Sequence, residues 1–286
     1  MTKTILASLS GLSSDRAVLE AAVAAARIEG GHIQCLHTRI DAVETAAVLG
    51  LTSPRVDLHS SLQQIAGQEE ERSRHARQIF DEVCKRYALS VHDAPGKGAP
   101  ISAAWRENQS FLNETLTEAR YHDLVVMGRD QELSSERIVS VLMQSGRPLL
   151  IAPAKPVEVM GKNVAIAWKA TAEAARALTA ASFILSRAEK VVILCVSEDK
   201  AGDDSDRFSA EHLARQLTWQ GITAEVRMSY SPSVSTSHAL LDMAYDGDAD
   251  LLVAGAYGHN RVREFIFGGV TRDLLATSAL PVFMVR

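Results

Sequence analysis

The sequence of 286 residues is poor in cysteine and lacks long apolar runs. Its three cysteines, Cys35, Cys84 and Cys195, form no C-x-x-C pair and no spacing with histidine that indicates a metal site. We interpret them as reduced core residues of a cytosolic protein. No apolar run approaches the roughly 20 residues that a membrane-spanning helix needs, and the N-terminus lacks the pattern of a signal peptide. We therefore expect a cytoplasmic protein that does not bind membranes.

Excess positive charge and familiar catalytic motifs are also missing. The formal net charge is -5, which argues against nucleic acid as a partner. The spacing shows no Ser-His-Asp arrangement, no H-E-x-x-H motif and no pair of carboxylates. Aromatic residues make up 5% of the chain, whereas hydrophobic residues make up 47%, enough for helices packed closely on sheets. We predict no metal site and no enzymatic activity.

What the sequence does contain is an internal repeat of four strand-like segments in one order. The pairs are KTILASLSG with KNVAIAWKA, GHIQCLHTR with KVVILCVSE, YHDLVVMGR with DADLLVAGA, and GRPLLIAP with ALPVFMVR. Four matches in sequence order indicate a duplication rather than chance similarity. A stretch with proline and glycine near Lys155–Gly161 separates the repeats. The predicted domains are therefore residues 1–154 and 162–286.

Helical patterns lie between these segments. In the first half they cover 13–30, 68–89 and 101–122, with a short strand at 90–94; in the second half they cover 171–190, 206–221 and 233–248, with a short strand at 223–229. Each half is thus predicted to be a doubly wound α/β domain, with a five-stranded, mostly parallel sheet and helices on both faces. The last strands, LLIAP and VFMVR, are apolar edges. We expect them to pair antiparallel and form an intramolecular pseudo-dimer, and a homodimer is a further expectation.

The stretch GAYGHNRVREFIFGGVT, residues 255–271, directly follows the apolar segment DLLVA and occurs in the second half alone. In parallel α/β sheets, ligands bind beyond the carboxyl ends of the strands. Glycine allows backbone to approach phosphate closely, and a helix N-terminus attracts anions. His259, Arg261 and Arg263 add positive charge. Two interpretations stay open, a cradle for phosphate or an ordinary flexible connection; the spacing is not that of a Walker loop.

The run G-x2-G-x9-G, followed by a small residue and a helix, resembles the nucleotide-binding signature of the universal stress protein family. The repeated strand order also looks like that family, and the tandem arrangement resembles its two-domain members. The resemblance covers nearly the whole chain. It implies a strand order of 3-2-1-4-5 and an ATP molecule held between the glycine loop and the ends of strands one and two.

Carried over position by position, the resemblance places Gly255, Gly258 and Gly268 at the phosphates and ribose. Gly269 stands where the family usually has Ser or Thr, so one hydroxyl contact to phosphate is missing, although the backbone N–H remains. Further residues implied at the site are His259 in the loop, Val270 and Thr271 at the helix start, and Val196 at a position that in the family touches adenine.

The exit of strand one departs from the family, which often places an Asp there near the nucleotide. The second half reads Trp168, Lys169 and Ala170. Lys169 is interpreted either as approaching a phosphate or as a solvated lysine, and Trp168 either as packing near the base or as a core residue. The first half departs further, because Gly128 stands alone and the exit SLSGLSS also lacks the Asp. We expect that half not to bind nucleotide in the family's mode.

The resemblance implies a stress-response regulator that binds ATP or a related adenine nucleotide through its second half and signals through protein partners. Two other interpretations remain. One is a structural or partner-binding module that binds no nucleotide. The other is a slow ATP hydrolase, which ranks last because the sequence supplies no evident general base or metal-binding carboxylate at strand one.

Overall fold

The computed structural model describes residues 4–39, 58–95, 101–109, 114–129, 134–197, 205–230, 235–256 and 269–286. The strands in these ranges are β1 (Thr4–Leu9), β2 (Gly31–Arg39), β3 (Ser90–Val91), β4 (Ile101–Gln109), β5 (Leu124–Met127), β6 (Leu149–Ile151), β7 (Asn163–Ala167), β8 (Lys190–Ser197), β9 (Ala224–Tyr230), β10 (Leu251–Gly255) and β11 (Val282–Val285). The helices are α1 (Asp15–Glu29), α2 (Leu58–Arg86), α3 (Glu114–Ala119), α4 (Ser134–Gln144), α5 (Ala172–Ala180), α6 (Ser182–Leu185), α7 (Ser205–Trp219), α8 (Thr236–Asp246) and α9 (Gly269–Thr277).

The strands form one sheet in the order β3-β4-β2-β1-β5-β6-β11-β10-β7-β8-β9. Neighbouring strands are parallel within each half. Counted within the second half, the order is the predicted 3-2-1-4-5. The predicted doubly wound α/β class is confirmed.

The halves meet at β6 and β11, which pair antiparallel as the sequence led us to expect. Phe283 lies opposite Leu150, with Val282 opposite Ile151 on one side and Met284 opposite Leu149 on the other. All six side chains are fully buried. The two apolar edges are thus joined at the centre of one continuous sheet.

Helices cover both faces of the sheet. One hydrophobic cluster packs α1, α2, α5, α6 and α7 against one face. The other cluster packs α3, α4, α8 and α9 against the opposite face. The many buried alanines of α1, among them Ala17, Ala21 and Ala25, bring that helix close to the strands. This explains how the chain builds its cores with few aromatic residues.

The first half corrects one part of the prediction. Residues 101–109 form strand β4 rather than the start of a helix, and the helix predicted over 101–122 is reduced to α3. β4 pairs along its whole length with β2, in the place expected for residues 90–94, and Ser90–Val91 forms a short strand outside it. Pairing and burial of Ala103 and Ala104 outweigh their preference for helix. The first half therefore has six strands rather than five.

The other departures are smaller. Helix α2 begins ten residues before the predicted position 68, at Leu58, and is about twice as long as its counterpart α7. The helix predicted over 171–190 is divided into α5 and α6 at Ala181. The segment 152–162 connects β6 to β7 where the domain boundary is predicted. Residues 40–57, between β2 and α2, lie outside the described residues.

Candidate functional site

The carboxyl ends of β7, β8 and β10 lie at the same level of the sheet. Ala167 of β7 pairs with Ala254 of β10 on one side and with Leu194 of β8 on the other. The backbone N–H of Trp168 donates to the carbonyl of Leu194 at 2.9 Å. Residues that follow these three strands therefore meet at one edge, where parallel α/β sheets bind ligands.

The exit of β7 is a tight turn into α5. The N–H of Thr171 donates to the carbonyl of Lys169 at 2.7 Å, and the Thr171 hydroxyl accepts from the N–H of Ala174 at 3.3 Å. Thr171 is thus the N-cap of α5. Lys169 and Ala170 are exposed on this turn, so the Lys169 ammonium is available at the edge.

Trp168 is half-buried against the face that carries α5 and α7. Its Nε1 donates to the Ser209 hydroxyl of α7 at 3.0 Å, and its carbonyl accepts from the Cys195 thiol at 3.4 Å. Burial raises the pKa of Cys195 to about 12, which keeps that thiol protonated as a donor. These two hydrogen bonds hold Trp168 against α7 and β8.

Val196 lies one residue beyond Cys195 on β8 and is half-buried on the opposite face. The same face carries α9, whose Leu274 is buried in the same cluster. Val196 and the helix that follows the glycine stretch thus share one side of the sheet, whereas the Trp168 ring packs on the other side.

Gly255 ends β10 in close contact with the start of α5. A Cβ on Gly255 would lie 2.4 Å from the backbone nitrogen of Ala174 and 2.6 Å from the carbonyl carbon of Glu173. Only glycine fits such an approach without movement of the backbone. The first glycine of the motif is therefore required by helix packing alone.

Helix α9 starts at the same edge, because it follows β10 and returns the chain to the parallel strand β11. Gly269 is exposed, and a Cβ on it would meet nothing within 4 Å. Val270 is exposed and Thr271 is buried. Gly258, His259 and Gly268 lie outside the described residues.

A hydrogen bond fixes α9 against its neighbour α8. The Ser237 hydroxyl donates to Asp273 Oδ2 at 2.9 Å. Ser237 is buried in the first turn of α8, and neither Ser237 nor Asp273 belongs to the glycine stretch. Groups outside that stretch therefore hold α9 against α8.

The corresponding edge of the first half is filled by its own side chains. Gly11 follows β1 with a φ of 77°, and a Cβ on it would lie 2.4 Å from the Cβ of Arg72 on α2. His75 Nδ1, also on α2, lies 3.0 Å from the Gly11 carbonyl. The long helix α2 therefore covers the exit of β1.

A carboxylate also occupies the backbone donors of this exit. The Asp15 side chain is fully buried and accepts from the N–H of Ser10 at 2.8 Å and from the N–H of Gly11 at 2.9 Å. Donors of this kind bind an anion when they are free. The sequence analysis assigned no such role to Asp15; the signal was an Asp placed shortly after a strand and a glycine turn.

Gly128 has the same packing role in the first half as Gly255 in the second. A Cβ on Gly128 would lie 2.6 Å from the Ser14 hydroxyl oxygen and 2.8 Å from Val18 Cγ2 of α1. Both halves thus keep a glycine at the end of the strand that pairs with their first strand, where it passes the first helix, although the rest of the glycine stretch occurs once.

The described ranges contain neither a metal-binding cluster nor a membrane-spanning helix. No group of three or more His, Cys, Asp or Glu side chains in them is placed to hold a metal ion. Among the described helices, none combines the length and the apolar character that crossing a bilayer requires.

Architecture and edge geometry define a class of protein with two joined, doubly wound α/β units. The chain is similar over its whole length to the crystal structure of a universal stress protein from Archaeoglobus fulgidus DSM 4304, with a TM-score of 0.69, 19% identity and coverage of 100% of this chain and 99% of that one. It is also similar to a provisionally named universal stress protein of Pseudomonas aeruginosa UCBPP-PA14, with a TM-score of 0.57, 13% identity and coverage of 99% and 93%. No curated protein matches the chain significantly.

The particular family follows from the second half. Residues 160–286 match the model of the universal stress protein family. The match to this family covers the second half, and the whole chain has the fold of the structures above.

Proposed function

We propose that the protein is a stress-response regulator whose second half binds ATP or a related adenine nucleotide. The observation that carries the proposal is the convergence of the β7, β8 and β10 exits at one edge of the sheet. The start of α9 and the family match of residues 160–286 support it.

The residues at this edge fit an anionic ligand. The exposed Lys169 supplies a positive charge beside the sheet. A Cβ on Gly269, the first residue of α9, would meet nothing within 4 Å, and a helix N-terminus favours phosphate. Val196 offers a half-buried apolar contact on the face that carries α9, suited to an adenine ring.

We further propose that the nucleotide is bound without rapid turnover. The one acidic side chain of α5 and the one of α9 are engaged, since Glu173 pairs with Arg176 at 2.8 Å and Asp273 accepts from Ser237. Neither is free to act as a general base for water. Bound nucleotide would then act as a signal, read by protein partners.

Nucleotide retention tests the proposal. The purified protein is denatured and its small molecules are analysed by mass spectrometry, and equilibrium dialysis is run at millimolar ATP. We expect adenine nucleotide in the parent and none in Gly258→Arg. A parent that neither retains nor binds any adenine nucleotide would contradict the proposal.

A partner-binding module without nucleotide is the second candidate. One observation favours it: the approach of α5 explains Gly255 without any ligand, so that glycine is not evidence for phosphate. The absence of a hydroxyl at Gly269 points the same way. A parent that binds no ATP in the dialysis, yet is folded and melts cooperatively, would select this candidate.

A further inference from the structure

Strand β9 forms one end of the sheet. The other end is the two-residue strand β3, which pairs with β4. Among the described residues, no strand pairs with the open side of β9. Its seven residues present a row of backbone N–H and C=O groups on the open side, which is a template for another strand.

The two faces of β9 differ in character. Ala224, Val226 and Met228 are half-buried and pack on the face that carries α7. Glu225 and Arg227 lie on the opposite face, as alternation along a strand requires. These two form an ion pair with Arg227 Nε 2.9 Å from Glu225 Oε1. The edge therefore carries one negative and one positive charge, two residues apart.

This spacing is self-complementary. We propose that a second copy of the chain pairs with β9 antiparallel, about a two-fold axis perpendicular to the sheet at Val226. Glu225 of each copy then lies opposite Arg227 of the other, and Ala224 lies opposite Met228. Opposite charges and apolar pairs in these positions stabilise adjacent strands, and a two-fold interface forms each contact twice.

Other registers lack this match. A two-fold axis at Arg227 would place like charges opposite each other, and an axis at Glu225 would do the same for the carboxylates. An axis at Met228 would leave Arg227 opposite Ser229. The charge pattern therefore selects the register centred on Val226.

The chain already uses edge pairing of this kind once. β6 and β11 pair antiparallel and join the two halves. Pairing of two β9 strands would extend the same sheet across a second two-fold relation, with α7 of both copies on one face and α8 of both copies on the other.

Charge variants of the full-length chain test the proposal by sedimentation velocity over a range of concentrations. We expect the parent to dimerise, and Arg227→Glu and Glu225→Arg each to raise the dimer dissociation constant at least tenfold. A mixture of the two variants should form a heterodimer, because every cross-strand pair is then opposite in charge. Arg215→Glu, at an exposed position of α7, is the matched control and should dimerise like the parent.

Circular dichroism and thermal melting check that each variant is folded. Formation of the heterodimer is a second check of folding, since two misfolded variants would not recover dimerisation when mixed. A parent that stays monomeric at all concentrations would overturn the proposal. So would a dimer that is indifferent to Arg227→Glu, or single variants whose mixture stays monomeric.

Discussion

Gly255 at the end of β10 lies so close to Ala174 in α5 that a Cβ on the glycine would come within 2.4 Å of the Ala174 backbone nitrogen. Backbone cannot yield as a flexible side chain does. The packing of α5 therefore requires glycine at this position, whether or not the stretch that follows it binds a ligand.

Gly255→Ala is predicted to destabilise the protein. The added methyl group must push α5 away from the sheet, and overpacking of this kind costs about 1–3 kcal/mol. Denaturant titration followed by circular dichroism measures the loss. Gly128→Ala should also destabilise, but by less, because its nearest neighbours are side-chain atoms of Ser14 and Val18.

Gly269→Ala is the matched control for this pair. Its Cβ would meet nothing within 4 Å, so the free energy of unfolding should change by no more than about 0.5 kcal/mol. A stable Gly255→Ala variant would show that α5 can move without cost and would contradict the packing argument.

Acid should destabilise the first half through two buried histidines. Burial lowers the pKa of His32 and of His37 below the ordinary value of 6.5. The unfolded chain then binds protons that the folded chain does not. The contribution of these histidines to the free energy of unfolding is fully present above about pH 6.5. It falls as the pH drops below that value, by at most about 1.4 kcal/mol per pH unit for each histidine.

The free energy of unfolding is measured at several pH values between about 5 and 8, and its slope against pH is compared between variants. His32→Gln should flatten the slope relative to the parent, whatever its effect on absolute stability. The same change at His212, exposed on α7, is the control and should give a curve parallel to the parent's. An equal slope in His32→Gln and the parent would refute the assignment.

How far the sequence predicts the fold depends on the segment. The apolar runs of β5 and β10 predict buried parallel strands, because few other structures bury four or five consecutive apolar residues. β4 was missed, since Ala103 and Ala104 carry no strand preference and the segment is fixed by its pairing with β2. Long-range pairing of this kind leaves no local pattern to read.

The candidate site shows the same limit. The sequence identified which strand exits meet, because that follows from parallel topology. The reason for Gly255 was not predictable, since it depends on which backbone passes within van der Waals distance. The contact of Arg72 with Gly11 at the exit of β1 was equally unpredictable, because the two residues are far apart in the sequence.

Separate expression of the two halves should expose the joined strands. β6 and β11 would each present a fully buried apolar edge to water, which favours association with other strands. We expect residues 1–154 and 162–286, expressed alone, to be poorly soluble or to self-associate on a sizing column. Two well-behaved monomeric halves would show that the edge pairing is dispensable.

Nucleotide binding is predicted at one site per chain. The first half has its edge covered by Arg72 and His75, and Asp15 accepts from its backbone donors. Isothermal titration of the parent with ATP should give one equivalent, and Gly258→Arg or Gly268→Val should give none while melting like the parent. A stoichiometry of two, or one equivalent remaining in Gly258→Arg, would locate binding in the first half.

Gly269→Ser is predicted to tighten nucleotide binding. The position is exposed, begins α9 and has room for a Cβ, so a serine fits there and, in the proposed binding mode, its hydroxyl donates to a phosphate. One added net hydrogen bond contributes about 0.5–1.5 kcal/mol, which corresponds to roughly a two- to tenfold lower dissociation constant for ATP. Gly67→Ser, an equally open glycine on α2, is the control and should leave affinity unchanged. Unaltered affinity in Gly269→Ser would mean that the start of α9 does not contact the phosphates, and the glycine stretch would then be a connection without a ligand.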